Sequence, residues 1–167
     1  MRVRVRHILG ILQYGAMHVQ GTEHVVHLSR RQFRSDNGVV MLTLDMRNAF
    51  NTLARDVMMI AVHAFGLHDL YNIVHFLYDV PSALFSEFVP GLRSKQGVRQ
   101  GDPLGPILFA LAIHPTLQRL AAAHPRVTVR AYLDDITVIG RPEDVRRFYD
   151  DFVREFGAIG KLDPSRT

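Results

Sequence analysis

Val-Thr-Val-Arg-Ala-Tyr-Leu-Asp-Asp-Ile-Thr-Val-Ile-Gly, residues 127–140, joins two runs of strand-forming residues through a short acidic turn. β-Branched and aromatic residues are typical of strands, and two such runs joined by a tight turn form an antiparallel hairpin. The stretch therefore predicts a β-hairpin that carries Asp134 and Asp135 at its bend.

A third predicted strand also ends in an acidic residue. The apolar run at 39–44, Val-Val-Met-Leu-Thr-Leu, stops at Asp45 and indicates a buried strand. If that strand lies beside the hairpin, Asp45, Asp134 and Asp135 converge at one sheet edge, and a divalent cation would relieve their repulsion. Mg²⁺ fits best, because it takes one or two carboxylates and completes its shell with water and phosphate. The alternative is that the paired acids are ordinary turn residues and that Asp45 caps a helix.

Helical patterns occupy most of the remaining chain. Apolar residues recur at helical spacing from Leu53 to Ala64, and a second helix is expected over 69–79. An apolar helix is expected from Ile107 to about Ala123, and Pro115 within it should kink or split it. The stretch 142–157 predicts an amphipathic helix with proline at its start and glycine at its end.

Two further segments complete the predicted fold. Residues 82–97 indicate two short strands, and Arg2, Arg4 and Arg6 alternate with valine, as one face of an edge strand would. These arginines would form a phosphate-binding arm or simply an irregular chain start. The whole pattern predicts one α+β domain, an antiparallel sheet with helices packed largely on one face.

Composition limits the possible classes of protein. The chain has 167 residues, of which 47% are apolar and 22% charged, as in a globular domain and unlike a disordered, collagenous or coiled-coil chain. It lacks an apolar run of about 18 residues, so no membrane-spanning helix or membrane partner is expected. Cysteine is absent. His24 with His27, or His63 with His68, would pair as metal ligands, but no cysteine or spaced acid completes a zinc set, which favours scattered surface histidines. The net charge is +4, and almost all of the positive charge comes from arginine. This arginine content favours phosphate binding or reflects codon bias in a GC-rich genome.

Three motifs in order resemble those of the reverse transcriptases. Residues 44–51 resemble motif A with its aspartate, residues 99–106 resemble the QGxPLxP of motif B, and residues 132–135, Tyr-Leu-Asp-Asp, resemble the YxDD box of motif C. The match is most similar to the non-LTR retrotransposon type, extends over about 8–167, and includes a motif D-like segment at 160–167. The resemblance implies a polymerase palm over 39–167 with partial fingers over 1–38. It also implies that the thumb is missing and that the chain is a piece of a larger protein.

The resemblance also implies roles for the acidic residues and their neighbours. Asp45 and Asp134 would ligate two catalytic Mg²⁺ ions, with Mn²⁺ as a substitute, and Asp135 would support them. The backbone carbonyl of Met46 would contact the ion that binds the triphosphate. Phe50 would lie under the incoming sugar and exclude a 2′-hydroxyl, which selects deoxynucleotides. The alternative for Phe50 is ordinary core packing.

Motif B and Tyr132 would surround the substrate. In the family, the turn formed here by Gln100, Gly101 and Pro103 leads into a helix beside the template base and the incoming nucleotide. Tyr132 would support the hairpin near the primer end. Arg99 would contact nucleic-acid phosphate or would be a solvated loop residue.

The function implied by the resemblance is RNA-directed DNA polymerase, a nucleotidyltransferase. Its expected partners are an RNA template, a DNA or RNA primer, deoxynucleoside triphosphates, and the rest of a polyprotein that supplies a thumb and an endonuclease. A eukaryotic element would act in the nucleus. Three alternatives remain: an inactive, truncated or degenerate palm that at most binds nucleic acid, an RNA-dependent RNA polymerase, and an α+β interaction domain. Phe50 and Leu133 argue against the RNA polymerase, which usually has a second motif A aspartate and a glycine before the paired acids.

Overall fold

A four-stranded antiparallel sheet and the helices that cover it make up the computed structural model, which describes residues 2–16, 18–157 and, as backbone, 161–162. The helices are α1 (Arg2–Leu9), α2 (Gly21–Ser35), α3 (Ala49–Thr52), α4 (Arg55–Ala64), α5 (His68–Tyr78), α6 (Gly105–Ala123) and α7 (Pro142–Phe156). The strands are β1 (Val40–Arg47), β2 (Ser82–Ala83), β3 (Arg93–Ser94), β4 (Thr128–Tyr132), β5 (Asp135–Gly140) and β6 (Lys161–Leu162).

The central sheet has the strand order β4-β5-β1-β6, and β2 pairs separately with β3. The predicted hairpin is confirmed as β4 and β5, and the predicted strand before Asp45 is confirmed as β1, directly beside β5. Its predicted burial is wrong for most of the run, because Val40, Met41 and Thr43 are exposed and only Leu44 is fully buried before Asp45. The predicted end of this strand at Asp45 is wrong, because β1 continues to Arg47. The continuation is stabilised by β6, which pairs with Met46 and Arg47 on the other side. Asp45 therefore lies within the ladder rather than after it.

The two faces of the sheet differ in burial. Side chains alternate between the faces of a strand, and the row formed by Leu44, Ile136 and Ala131 is buried. That face packs against the apolar helix α6 and against α7, whose phenylalanines form a stacked series: Phe148, Phe152 and Phe156. The second face carries the acidic residues and is covered by α2 near β4, where Gln32 bonds Thr128 and Arg130. The acid-bearing end of this face remains partly exposed.

The N-terminal segment is a helix, so the predicted edge strand is wrong. The alternation of arginine and valine has the period of a strand, but Val5 and Leu9 have the i, i+4 spacing of a helix. Both are fully buried against the core, whereas Val3 is 82% exposed. Arg4 donates a hydrogen bond to the Gly66 carbonyl at 2.9 Å and is therefore tied to the domain rather than extended as an arm.

Helix α6 continues through Pro115 as one element, so the predicted split is wrong. Proline removes one hydrogen bond from a helix interior, but tertiary packing compensates for that loss, since apolar side chains on both sides of Pro115 are buried. These include Phe109, Leu111, Ile113, Leu117 and Leu120. Within the described residues, no helix combines the length and apolar character needed to cross a membrane.

Candidate active site

Asp45 and Asp135 are direct partners in the antiparallel register between β1 and β5. Side chains of opposite residues project from the same face, with Cβ atoms about 4.5–5.5 Å apart. Tyr132 is the partner of Asp135 on the other side, so the three residues form one row across the sheet. Asp45 is half-buried and Asp135 is exposed. The row is the last one before the β4–β5 turn, which leaves it open to a substrate.

Asp134 lies in the turn that connects β4 to β5. It is half-buried, and Leu133 before it has a left-handed backbone with φ of 57°. Burial raises the pKa of Asp134, and the negative charges of Asp135 and Asp45 act in the same direction. The three predicted carboxylates are therefore electrostatically coupled at one end of the sheet.

The donor set at this end suits magnesium. Among the described residues, no three His, Cys, Asp or Glu side chains are already grouped closely enough to hold a metal ion. Mg²⁺ does not need such a group, because one or two carboxylates, water and substrate phosphate fill its octahedron. Carboxylate oxygen donors suit hard divalent cations such as Mg²⁺ and Mn²⁺. Of the two histidine pairs considered as metal ligands, His63 and His68 lie close together, but their rings meet edge to face, with centroids 5.7 Å apart.

Two motif A residues lie directly after Asp45. Met46 has a side chain in the hydrophobic core, so only its backbone lies beside the acids. Phe50 lies in the short helix α3, half-buried, and its ring stacks on buried Phe109 with centroids 4.7 Å apart and planes 19° apart. The carbonyl of Phe50 accepts a hydrogen bond from the Val98 N–H at 2.7 Å. Motif A is thus fastened to the segment that leads into motif B, and Phe50 does pack against the core.

The motif B turn is open to solvent. Gln100, Gly101 and Pro103 are exposed, directly before α6. Gly101 has φ of +86°, which side chains rarely adopt, and no atom lies within 4 Å of the position that a Cβ would occupy. The turn therefore requires glycine for its backbone and leaves free space around it.

Tyr78, at the end of α5, bonds two residues of this turn through its hydroxyl. The sequence does not indicate this role. Its hydroxyl donates to the carboxylate of Asp102 and accepts from the Arg99 N–H at 3.2 Å. Asp102 also accepts from the Leu104 N–H at 2.8 Å, at the start of α6. Burial and the bond to Asp102 raise the pKa of Tyr78 to about 12. An apolar helical pattern predicts a buried tyrosine here but cannot reveal its partner.

Two arginines enclose the ring of Tyr78. The guanidinium carbons of Arg55 and Arg99 each lie 5.2 Å from its centroid. Arg99 also donates to the Ser82 hydroxyl at 2.6 Å and to the Leu77 carbonyl. Neither alternative predicted for Arg99, phosphate contact or solvation, describes this internal role. Arg55 donates to the Ser94 and Gly97 carbonyls at 2.9 and 3.1 Å, which fixes the segment before motif B.

The chain resembles known retroelement proteins along most of its length. A family described as "Reverse transcriptase (RNA-dependent DNA polymerase)" matches residues 3–160. The retrotransposable element SLACS 132 kDa protein of Trypanosoma brucei gambiense is 33% identical over 143 residues, which are 83% of this chain and 12% of that protein. The Pol polyprotein from the type-1 retrotransposable element R2 of Popillia japonica is 28% identical over 131 residues, 70% of this chain and 21% of that protein. The chain thus spans only a small part of these relatives.

The fold resembles that of solved telomerases. Telomerase from Candida albicans, in a complex with a fragment of telomeric RNA, superposes with a TM-score of 0.69 at 12% identity, covering 99% of this chain and 33% of that one. Apo telomerase from Candida tropicalis gives a TM-score of 0.68 at 12% identity, with 99% and 36% covered. At this identity the similarity supports the architecture, a partial polymerase palm.

Proposed function

Since the chain belongs to the reverse transcriptase family, of the non-LTR retrotransposon type, we propose that it is the polymerase palm of an RNA-directed DNA polymerase. The reaction is transfer of a nucleotide from a deoxynucleoside triphosphate to a primer 3′-hydroxyl on an RNA template. The observation that carries the proposal is the register of Asp45 opposite Asp135, with Asp134 in the adjoining turn.

The proposed metal ligands are the three carboxylates and one backbone group. Asp45 and Asp134 would hold two Mg²⁺ ions, or Mn²⁺ in their place, with Asp135 in support and the Met46 carbonyl on the triphosphate side. Bound Mg²⁺ would neutralise phosphate charge and stabilise the attacking and leaving oxygens. The β1–β5 register holds Asp45 opposite Asp135, with Asp134 in the adjoining turn, and such pre-arranged charge would be the main contribution of the protein to the electrostatics of the step.

The proposed nucleotide site lies between motifs A and B. Phe50 is restrained by its stacking on Phe109 and would present a fixed ring edge to the sugar. Such an edge would exclude a 2′-hydroxyl by steric overlap. Gln100, Gly101 and Pro103 would line the side of the template base, where the space around Gly101 permits close approach. Tyr132, beside Asp135 in the register, would lie near the primer end.

The proposed partners follow from the polymerase reaction: an RNA template, a DNA or RNA primer and deoxynucleoside triphosphates. A larger polyprotein that supplies a thumb is proposed as well, with an endonuclease as a further part. Residues 1–38 would contribute to fingers and 39–167 would form the palm. The second candidate, an inactive palm that binds nucleic acid, is separated from the first by the experiment below.

The test is primer extension on an RNA template with deoxynucleotides and Mg²⁺, with the chain alone and with the chain placed in a longer protein that includes a thumb. We expect extension by wild type and its loss, by more than about 100-fold, in Asp134→Asn. Asp150→Asn is the matched control, since Asp150 lies exposed on α7 and pairs only with Arg146 on the same helix among described residues. Equal extension by wild type and Asp134→Asn would contradict the metal assignment. Absence of extension in every form would favour the inactive palm.

A further inference from the structure

A buried glutamine lies against the turn that carries Asp134. Gln13 is fully buried, and its segment runs parallel to β4. The Ala131 N–H donates to the Leu12 carbonyl and the Tyr14 N–H donates to the Ala131 carbonyl, each at 2.7 Å. These two bonds place the Gln13 side chain beside the end of β4, where the turn begins.

The amide of Gln13 binds both backbone groups of Leu133. Its Oε1 accepts from the Leu133 N–H at 2.7 Å, and its Nε2 donates to the Leu133 carbonyl at 3.2 Å. The same Oε1 accepts from the Gly15 N–H at 3.1 Å, which fixes the amide orientation. A buried amide with these partners holds the peptide planes on both sides of Leu133.

Leu133 needs such support because its φ of 57° lies in the left-handed region. Residues with a Cβ rarely adopt that region, and they persist there when the surroundings over-determine the backbone. Gly15 adds a steric restraint: a Cβ on Gly15 would lie 2.6 Å from both the nitrogen and the Cγ of Leu133. We call Gln13 and Gly15 together the Leu133 socket.

We propose that Gln13 is a positioning residue for Asp134: by fixing the Leu133 backbone, the socket sets the direction in which the Asp134 carboxylate leaves the turn. Rotation of the 133–134 peptide would turn the Cα–Cβ bond of Asp134 away from Asp45 and Asp135. The placement of the turn is independent of catalysis, and its consequence for metal binding and turnover rests on the proposed function.

The test uses Gln13→Met, which keeps the length of the side chain and removes its donor and acceptor. The matched control is Gln32→Met. Gln32 bonds β4 through both ends of its amide, to Thr128 at 2.8 Å and to Arg130 at 3.0 Å, but on residues away from the turn. Gln13→Met loses side-chain contacts to Leu133 in the turn, whereas Gln32→Met loses contacts to β4, so a difference between them reports on the turn.

The first readout is amide hydrogen exchange measured by NMR without metal or substrate. Gln13→Met should accelerate exchange of the Leu133 amide about 10-fold or more relative to Gln32→Met, since that N–H loses its acceptor. Unchanged Leu133 exchange in Gln13→Met would overturn the proposal. This readout does not depend on polymerase activity, so it distinguishes failure of the inference from failure of the proposed function.

The second readout is the affinity for Mn²⁺ alone, followed by steady-state primer extension. Gln13→Met should weaken Mn²⁺ binding about 10–100-fold, the range typical of residues that orient metal ligands. It should also lower kcat with little change in the KM for deoxynucleotide. Wild-type Mn²⁺ affinity in Gln13→Met would overturn the positioning role. Equal Mn²⁺ affinity of wild type and Asp134→Asn would instead count against the proposed function.

Gly15→Ala provides a second variant if Gln13→Met does not fold. It retains the Gln13 amide, and its methyl group would displace Leu133 from the socket. We expect shifts of the Leu133 and Asp134 resonances and the same direction of change in Mn²⁺ affinity. A folded Gly15→Ala variant with unshifted resonances and wild-type affinity would overturn the proposal.

Discussion

Asp45 on β1 is the register partner of Asp135 on β5, so two residues from separate motifs place like charges on neighbouring strands. Such a pair destabilises a sheet when the charges are directly opposite. Strand β1 nevertheless continues two residues beyond Asp45, where Met46 and Arg47 pair with β6. The chain therefore holds two carboxylates opposite each other at a fixed place on neighbouring strands, an arrangement that suits the binding of a cation.

The first prediction concerns this charge pair and magnesium. Asp135→Asn removes one of the two carboxylates that face each other, so the free energy of unfolding in metal-free buffer gives the net effect of that charge when no cation is present. Added Mg²⁺ should stabilise wild type more than the variant, since a ligand that binds only the folded state raises its stability. Urea denaturation with EDTA or with Mg²⁺ measures both effects. Asp150→Asn should respond to Mg²⁺ as wild type does; an equal response from Asp135→Asn would contradict the assignment.

The sequence predicted the parts of this arrangement that depend on local patterns. The hairpin of 127–140 and the strand before Asp45 followed from β-branched runs and a tight turn. The pairing of Asp45 with Asp135 rather than Asp134 could not be predicted, because it depends on a one-residue register. The turn next to Asp135 also contains the left-handed Leu133, whose N–H donates to Gln13, 120 residues away in sequence, and such a distant partner cannot be read from a local pattern.

The N-terminal helix and the continuity of α6 differ from what their local sequence patterns predict, because tertiary packing outweighs those patterns. The alternation of Arg2, Arg4 and Arg6 with valine predicts an edge strand, but burial of Val5 and Leu9 favours a helix. Pro115 predicts a kink or a split in α6, but the helix is continuous, because burial of apolar side chains on both sides of Pro115 outweighs the lost hydrogen bond. The internal role of Arg99 was missed for a related reason: its partners on α5 and β2 are distant in sequence.

The second prediction concerns the aromatic ring of Phe50. Phe50→Ala should reduce discrimination against ribonucleotides by about 10–100-fold, because rejection of an added hydroxyl by shape alone is of that size. It should also lower the free energy of unfolding by about 1–3 kcal/mol, less than for a fully buried ring, since Phe50 is half-buried. Single-nucleotide incorporation with dNTP and rNTP substrates measures the discrimination.

Phe65→Ala is the control for lost packing at Phe50. Phe65 is half-buried at the end of α4 and packs against the same core. The Phe65→Ala variant should lose about as much free energy of unfolding as Phe50→Ala, while its discrimination against ribonucleotides stays unchanged. Unchanged discrimination in Phe50→Ala would leave core packing as the role of that residue.

The third prediction concerns Tyr78 beneath the motif B turn. Tyr78→Phe should lower the free energy of unfolding by about 1–3 kcal/mol, because Asp102 and the Arg99 N–H lose a buried partner. The pKa of Tyr78 is raised to about 12 in the folded state. Its contribution should therefore be complete below pH 10 and lost as the pH rises from about 10 to 12.

Urea denaturation across that pH range tests the Tyr78 prediction, with Tyr71→Phe, on the same helix, as the control. Tyr71 is half-buried and meets His63 and His75 through its ring. We expect the stability difference between wild type and Tyr78→Phe to shrink above pH 10. A difference that stays constant up to pH 12 would show that the hydroxyl of Tyr78 does not contribute through its neutral form.

The last prediction concerns His114, which lies inside α6 next to Pro115. It is 1% exposed, and its ring nitrogens form no hydrogen bond of ordinary geometry with the described residues, although the Ile8 backbone lies close enough to interact with the ring. Burial lowers its pKa from the usual 6.5, so the folded chain binds a proton at this ring less readily than the unfolded chain does. Below pH 6.5 the unfolded chain binds a proton at His114, whereas the folded chain binds it only at a lower pH. Stability is therefore lost as the pH falls, by up to about 1.4 kcal/mol per pH unit.

His114→Leu should remove the loss of stability at low pH. At neutral pH it should raise the free energy of unfolding by about 1 kcal/mol, because an apolar side chain replaces a buried ring whose nitrogens form no hydrogen bond of ordinary geometry. Urea denaturation between pH 5 and pH 8 measures the difference, which should widen as the pH falls. His7→Gln, at an exposed position on α1, should follow the pH profile of wild type. A His114→Leu profile parallel to that of wild type would mean that the buried ring accepts its proton in the folded state.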